Sequence, residues 1–264
     1  MSRRKKGWVP DQHGAWAMLF VPLVVGLVLR WRMPGGLPGW AGPLAATWLV
    51  GYFCFNASGL WLKAAARRRS VYLPPLLSYG TITGLAGLAT LLLGGWPLLW
   101  WLPVYLPLLG YALWLTSRRH ERALASGLCT VLAACLLAWI LPFTTPQAVW
   151  RRGLDELTWL APALFGYFFG TVFVVKTLIR ERGKRGWVWA SVAWHALWTL
   201  AAVALWRLGA GSPGWPLFFA GCTVKAWALP WFGPLRGRTI RPAQVGALEV
   251  VLSIMALTLC LTAG

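Results

Sequence analysis

Apolar residues along this chain fall into nine long, continuous runs, separated by short segments rich in Gly, Pro, Lys and Arg. Each run approaches the ~20 residues that a helix needs to cross ~30 Å of hydrocarbon. Because the runs are continuous rather than alternating, they predict helices and not the strands of a barrel. The predicted spans are residues 14–30, 41–62, 73–93, 98–117, 123–141, 157–179, 187–206, 215–232 and 243–262. We therefore expect an all-α, polytopic transmembrane bundle that forms a single domain over residues 1–264.

Composition supports the same class. Hydrophobic residues make up 58% of the 264 positions and charged residues 12%, about half of the ~25% charged content of globular proteins. These values exclude a soluble enzyme and a disordered chain. The formal net charge of +19 would suggest nucleic acid in a soluble protein. Here the basic residues lie in short clusters between apolar runs, so we expect membrane lipids as partners and no nucleic acid.

The distribution of these basic clusters predicts the orientation. With a cytoplasmic N-terminus, 18 of the 25 Lys and Arg residues fall on the inside and 5 on the outside. Such a bias is typical of the positive-inside rule. Nine spans then leave the C-terminus outside, and the first span is expected to remain as a signal anchor. The predicted location is the bacterial cytoplasmic (inner) membrane.

Few polar or ionisable residues lie within the predicted spans, where each is energetically unfavourable. They are Asn56, Lys176, His195, Lys225 and Glu249. At 1.5 Å per residue all five lie in the cytoplasmic half of the membrane, which suggests one polar cavity that opens to the cytoplasm. Lys225 and Glu249 have similar depths on consecutive helices and form a candidate ion pair. A purely structural role, in which the ion pair only holds the two helices together, is an equal alternative.

Basic residues are also patterned at two helix ends. Asn56, Lys63 and Arg67 are spaced i, i+7, i+11 and are expected on one helical face. The pattern Lys-x-x-x-Arg-x-Arg at residues 63–69 recurs at 176–182. This echo suggests a pseudo-repeat of two four-helix halves, 1–122 and 123–241, with a ninth helix appended. Coincidence is the alternative, because basic residues are common at such ends.

Arginine and lysine side chains of this kind bind phosphate or carboxylate groups. The sequence predicts an anionic, phosphate-bearing lipid or metabolite as ligand, and the simpler alternative is that these charges only set topology. His13 and His195 are the candidate acid–base residues. No metal site or cofactor is expected, since the five cysteines form no CxxC pair. The candidate ligand-binding residues are Gln12, Asn56, Lys63, Arg67, Arg68, Lys176, Arg180 and Arg182.

The segment Pro10-Asp-Gln-His-Gly-Ala-Trp16 resembles the opening of the YwiC-like family of bacterial integral membrane proteins. Val175-Lys-Thr-Leu-Ile-Arg-Glu-Arg182 resembles a second characteristic patch of that family. His195 and the segment Pro242-Ala-Gln-Val-Gly-Ala-Leu-Glu249 also fit the family pattern. The resemblance covers most of the chain, and it implies an integral membrane protein without implying a reaction.

The layout is more distantly similar to that of UbiA-type prenyltransferases, which have nine helices and active-site motifs at the cytoplasmic ends of helices 2 and 6. Those enzymes bind magnesium diphosphate through Asp-rich motifs. This chain has Asn56-Ala-Ser-Gly59 at the corresponding place and only six acidic residues in total. A magnesium–diphosphate site needs several carboxylates, so ordinary prenyl transfer is not expected.

Three alternatives to a simple anion-binding protein remain open. The first is a metal-poor relative of the UbiA-type transferases, with His13 or His195 as acid–base residue. The second is a transporter in which Lys225, Glu249 and His195 relay protons. The third is a scaffold for a membrane complex, for which Gly166-x-x-x-Gly170 would permit close helix approach within the chain or with a protein partner. The sequence does not discriminate between enzyme and non-enzyme.

Overall fold

The computed structural model describes residues 7–10 and 15–263, and all of its regular structure in these ranges is helical. The fold class predicted from the apolar runs is therefore confirmed. The α-helices are α1 (Ala15–Arg32), α2 (Ala41–Lys63), α3 (Arg69–Thr90), α4 (Leu102–Ser117), α5 (Leu124–Phe143), α6 (Pro146–Arg152), α7 (Glu156–Val175), α8 (Arg185–Arg207), α9 (Gly214–Phe232) and α10 (Pro242–Leu261).

Each predicted span corresponds to one long helix, and the short α6 is the additional α-helix in the described part of the chain. Within residues 7–10 and 15–263, six stretches are long and apolar enough to cross a membrane, and one of these, residues 66–117, contains both α3 and α4. The helices α2 and α9 are not among the six, since both are interrupted by Gly, Trp and polar residues. The protein is thus a helical membrane protein, while the ninefold crossing and its orientation stay predictions.

The boundary between α3 and α4 is set by glycine. Gly94 has a φ of +96°, a left-handed conformation that side chains with a Cβ rarely adopt. A 3₁₀ turn, Trp96–Trp101, follows it before α4 begins. The predicted span 98–117 therefore starts as a 3₁₀ turn and becomes α-helical only at Leu102.

The chain divides into two compact units, Met1–Ala148 and Val149–Gly264. In the first, α2 packs along α3, and α5 packs on α1 and α4. Gly26 permits close approach of α1 to α5, because a Cβ at that position would lie 2.8 Å from Cδ1 of Leu141. The indole of Trp48 in α2 donates a 3.0 Å hydrogen bond to the carbonyl of Leu19 in α1. Most of α5 is buried, so it forms the core of this unit.

In the second unit, α7 is the most buried helix, and α8 packs on both α7 and α9. Gly166 and Gly170 face α8. A Cβ at Gly166 would lie 2.3 Å from the Trp198 ring, and one at Gly170 would lie 2.6 Å from Nε2 of His195. The Gly-x-x-x-Gly segment thus serves close packing between two helices of the same chain. Its effect is to bring α8, with His195, directly onto α7.

The division into units differs from the suggested repeat boundary at residue 122. Helix α5, which begins the second predicted half, packs within the first unit on α1 and α4. The repeat of residues 1–122 and 123–241 stays a prediction.

Candidate functional site

A buried ion pair lies near the middle of two helices of the second unit. Nζ of Lys225 in α9 lies 2.7 Å from Oε1 of Glu249 in α10. Their side chains are only 8% and 15% exposed. Their similar depth on consecutive helices predicted that these two residues are partners, and the structure brings them into direct contact. A charge at such a site is stable only when it is paired, so removal of either partner leaves an uncompensated charge.

Two hydroxyl groups extend this pair into a network that joins three helices. The Tyr167 hydroxyl in α7 lies 3.1 Å from Oε2 of Glu249 and 2.9 Å from the Glu249 carbonyl oxygen. It is also 3.0 Å from Oγ of Ser253, one turn further along α10. Glu249 therefore has a cation on one carboxylate oxygen and a phenol on the other. We call Tyr167, Lys225, Glu249 and Ser253 the charged network.

His195 in α8 is fully buried and has one ring nitrogen occupied. Its Nδ1 lies 2.7 Å from the carbonyl oxygen of Ser191, which accepts hydrogen bonds only. Nδ1 must therefore carry the proton, and Nε2 of the neutral ring is left as an acceptor. Nε2 is buried and makes no hydrogen bond within the described residues. The ring thus presents a vacant proton-acceptor site against Gly170 of α7.

Helix α8, which carries His195, is joined to α9 by a pair of hydroxyl groups. One turn beyond His195, the Thr199 hydroxyl makes a 3.0 Å hydrogen bond with the Thr223 hydroxyl of α9. Helices α7, α9 and α10 thus contribute the groups of the charged network, and α8 contributes His195 and a hydroxyl contact to α9. Such an arrangement of titratable groups inside a membrane bundle is typical of proton pathways.

The other basic candidates of this unit lie at the carboxyl end of α7, where the helix widens into a π-type turn, Lys176–Arg180. Lys176 is buried and places its Nζ 4.7 Å from the centre of the Trp187 ring. Arg180 and Arg182 are exposed. Glu181 pairs with Lys184 at 2.7 Å. The hydrogen bond from Lys184 is the main reason that the pKa of Glu181 lies below its usual value.

In the first unit, the predicted polar stripe is interrupted. Helix α2 ends at Lys63, and Ala64 is extended with a ψ of 141°. The prediction that Arg67 continues the face of Asn56 and Lys63 is therefore wrong. Arg67 and Arg68 instead lie exposed in a separate 3₁₀ turn, Ala66–Arg68, that leads directly into α3. The physical reason is the short connection, since the chain must leave the axis of α2 in order to pack α3 along it.

Lys63 also has a partner that the sequence analysis did not assign. Its Nζ lies 3.1 Å from Oε1 of Glu121, in the connection between α4 and α5. Burial raises the pKa of Glu121, but a backbone hydrogen bond and the Lys63 ammonium outweigh it, so the pKa lies below its usual value. Asn56 is half-buried in α2. The ion pair makes Lys63 less available to an external anion.

Gln12 and His13 lie outside the described residues. Just before them, the Tyr79 hydroxyl of α3 donates a 2.6 Å hydrogen bond to the Trp8 carbonyl. Within the described ranges, no group of three His, Cys, Asp or Glu residues is placed to hold a metal ion.

Sequence reasoning missed Tyr167, Ser253 and Glu121 as partners. Ser253 lies four residues after Glu249, on the same face of α10, and this spacing was a usable signal. Tyr167 lies within the Gly166–Gly170 segment, whose helix is brought close to its neighbours by small residues. Glu121 gave no such signal, because its pairing depends on the path of a loop.

Comparison with known proteins places the chain among its relatives. A Bacillus subtilis protein described as "Uncharacterized protein YwiC" is 30% identical over 251 residues, 93% of each chain. An "Uncharacterized protein" of Haemophilus influenzae is 26% identical over 262 residues, 97% of this chain and 98% of that one. No solved structure matches the chain, and the similarity to UbiA-type transferases stays a prediction. The family model described as "YwiC-like protein" matches residues 9–141, and the chain belongs to this family.

Proposed function

We propose that this protein is a proton-coupled membrane transporter whose proton-binding groups are the charged network and His195. The observation that supports this function most directly is the buried contact between Lys225 and Glu249 near the middle of two helices. Two helices can be held together by an ion pair or by apolar side chains, and apolar side chains are the more favourable choice in a membrane. A buried ion pair at this position therefore favours a role beyond packing.

The chemistry of the network suits reversible protonation. When Glu249 takes up a proton, its attraction to Lys225 is lost, and Lys225 becomes an unpaired buried cation. The bundle then gains a driving force to expose Lys225 or to admit an anion beside it. The Tyr167 hydroxyl holds the carboxyl group in place and is itself positioned by Ser253, and the unpaired Nε2 of His195 is a second site for a proton.

The bacterial cytoplasmic membrane is the proposed location, with the N-terminus inside. This orientation rests on the distribution of Lys and Arg along the chain.

An anion cavity built from Arg67, Arg68, Arg180 and Arg182 has weaker support. All four are exposed at helix ends, where positive charge serves topology. Lys63 and Lys176 are engaged by Glu121 and Trp187. That cavity stays a prediction. Its test is whether the wild-type protein retains a phosphate-bearing ligand that the double variant Arg67→Gln/Arg180→Gln does not retain.

Proton movement in proteoliposomes tests the proposed function. The purified chain is reconstituted with the dye pyranine inside, and an outward or inward pH step is applied. The step is repeated with inorganic phosphate and with short-chain carboxylates as probes. We expect the wild-type protein to change the internal pH faster than empty vesicles with at least one probe.

The variant Glu249→Gln should abolish this movement, because the amide cannot take up the proton. Glu181→Gln is the matched control, since it removes a carboxylate at the surface of the same unit and should leave the rate unchanged. Traces that are the same for wild type, Glu249→Gln and empty vesicles with every probe would contradict the proposal.

A further inference from the structure

A second feature of the same unit is a basic pocket that lies apart from the charged network. The pocket has a volume of about 140 Å³ and is lined by Arg185, Trp231, Leu235 and Arg236. Arg185 begins α8, Trp231 lies near the end of α9, and the other two residues belong to the turn that follows α9. One water molecule takes ~30 Å³ in the liquid, so the pocket has room for a group larger than a single water.

Within the described residues, neither guanidinium group of this pocket forms an ion pair with a carboxylate. The ion pairs of the described chain use Glu121, Asp155, Glu181 and Glu249 with other partners. The Arg236 guanidinium instead lies over the Phe232 ring, 5.0 Å from its centre. This contact restrains the side chain and leaves its N–H groups free to donate. Two positive groups that line one pocket without a protein counter-charge favour an anion between them.

The turn that carries Arg236 is ordered by its own backbone. Arg236 and Arg238 each donate a 3.0 Å backbone hydrogen bond to the Gly233 carbonyl. Gly233 is also required by space, since a Cβ there would lie 2.7 Å from Cδ1 of Ile240 and 2.8 Å from the Leu229 carbonyl oxygen. Gly237 closes the turn with a φ of +72°. The position of Arg236 is therefore fixed by the local fold rather than by a flexible loop.

We propose that this pocket binds a phosphate group, with Arg185 and Arg236 as donors and with Trp231 and Leu235 in contact with the apolar part of the ligand. Guanidinium groups match phosphate oxygens with paired hydrogen bonds, which a single ammonium does not provide. The apolar lining fits a phosphate attached to a hydrophobic body. Both a lipid headgroup and a soluble phosphate compound carry a phosphate group that the two arginines would bind in the same way.

The arginines of the anion cavity predicted from sequence are not part of this pocket. Lys184 and Arg238 are the nearest neighbours along the chain that carry the same charge and do not line it. Replacement of Lys184 and Arg238 by Gln therefore removes as much positive charge as replacement of Arg185 and Arg236, and it leaves the residues that line the pocket unchanged.

Native mass spectrometry of the full chain in mild detergent tests the proposal, with dioleoyl phosphatidic acid as probe. We expect the wild type to retain one molecule of this lipid. Arg185→Gln/Arg236→Gln should bind it at least about tenfold more weakly, and Lys184→Gln/Arg238→Gln should match the wild type. Arg185→Lys/Arg236→Lys keeps the charge and should show an intermediate affinity, which separates a lost binding site from a misfolded protein.

Competition with millimolar inorganic phosphate distinguishes the two sources of the group. Displacement of the lipid indicates recognition of the phosphate alone and favours a soluble compound. Retention of the lipid indicates a site that also requires the acyl body. Equal binding by wild type, the Arg185/Arg236 variant and the control would overturn the proposal and show that these arginines only set topology. This binding result is independent of proton movement through Glu249.

Discussion

At the residue scale, Glu249 determines the character of the second unit. Its carboxylate contacts Lys225 through one oxygen and Tyr167 through the other, so three helices depend on one side chain. A carboxylate so enclosed is costly to bury, and its contacts offset that cost only while all of them are present. The stability of the unit is therefore expected to respond sharply to loss of one partner and weakly to replacement of both.

Glu249→Gln alone should lower the free energy of unfolding by ~3–5 kcal/mol, because it leaves Lys225 buried without a counter-charge. The double variant Lys225→Met/Glu249→Leu should be close to wild type, since it removes both charges and keeps the volume. Thermal unfolding in detergent measures both. If the single variant proved as stable as the wild type, the pair would not be a tightly coupled buried contact.

At the element scale, two glycines control how closely α8 approaches α7. The space beside Gly166 is filled by the Trp198 ring, and the space beside Gly170 by His195. Side chains of any size at these positions would separate the two helices and move His195 away from α7. Helix packing, rather than any single hydrogen bond, therefore places the histidine.

Gly166→Ala should destabilise the protein by ~1–3 kcal/mol through overpacking. Gly221→Ala in α9 is the matched control, since open space surrounds that position and alanine is the better helix former. It should be neutral or slightly stabilising. Equal melting temperatures for the two variants would show that α7 and α8 do not pack as described.

The start of α7 depends on a capping box. Asp155 accepts a 2.8 Å hydrogen bond from the backbone of Thr158 and donates its own N–H to the Thr158 hydroxyl at 2.9 Å. Asp155 also pairs with Arg152. Burial raises the pKa of Asp155, but the hydrogen bonds from Thr158 and Arg152 outweigh it, and the pKa lies below its ordinary value of 3.8.

Asp155→Ala should lower stability by ~1 kcal/mol near neutral pH, and Asp155→Asn should lower it less because the amide still caps the helix. A lowered folded-state pKa means that the charge contributes stability above the ordinary pKa and loses it as the pH falls through the folded value. The difference between wild type and Asp155→Asn should thus shrink below about pH 4. Melting temperatures across this pH range provide the check, and a difference that grows on acidification would contradict the assignment.

At the scale of the whole molecule, the sequence located each of the nine long helices in the described part of the chain, because each apolar run is bounded by Gly, Pro or basic residues. The predicted span 41–62 matches α2, but the polar stripe drawn through Arg67 required the helix to continue. Ala64 and Ala65 carry no turn signal, and the break there results from packing against α3. The ion pair of Lys225 and Glu249 could be predicted from equal depth on neighbouring helices. The spacing of Ser253 from Glu249 was a usable signal, but the contact of Tyr167 could not be predicted, because hydroxyl groups are common in membrane helices and only tertiary packing selects among them.

The charge distribution predicts a chain with its N-terminus inside and its C-terminus outside. Alkaline phosphatase fused after Gly264 should be active in bacterial cells, and the same reporter fused after Arg122 should be inactive. The opposite pattern would contradict the orientation, and activity at both positions would contradict the number of crossings between them.

The most direct test of the central claim is proton movement by Lys225→Met/Glu249→Leu in proteoliposomes. This variant is expected to fold and to melt near the wild-type temperature, so a change in its rate reports on the charges and not on the fold. We expect this variant to have wild-type stability and to move protons no faster than empty vesicles. Movement at the wild-type rate would contradict it, and would show that the buried pair serves only to hold α9 against α10.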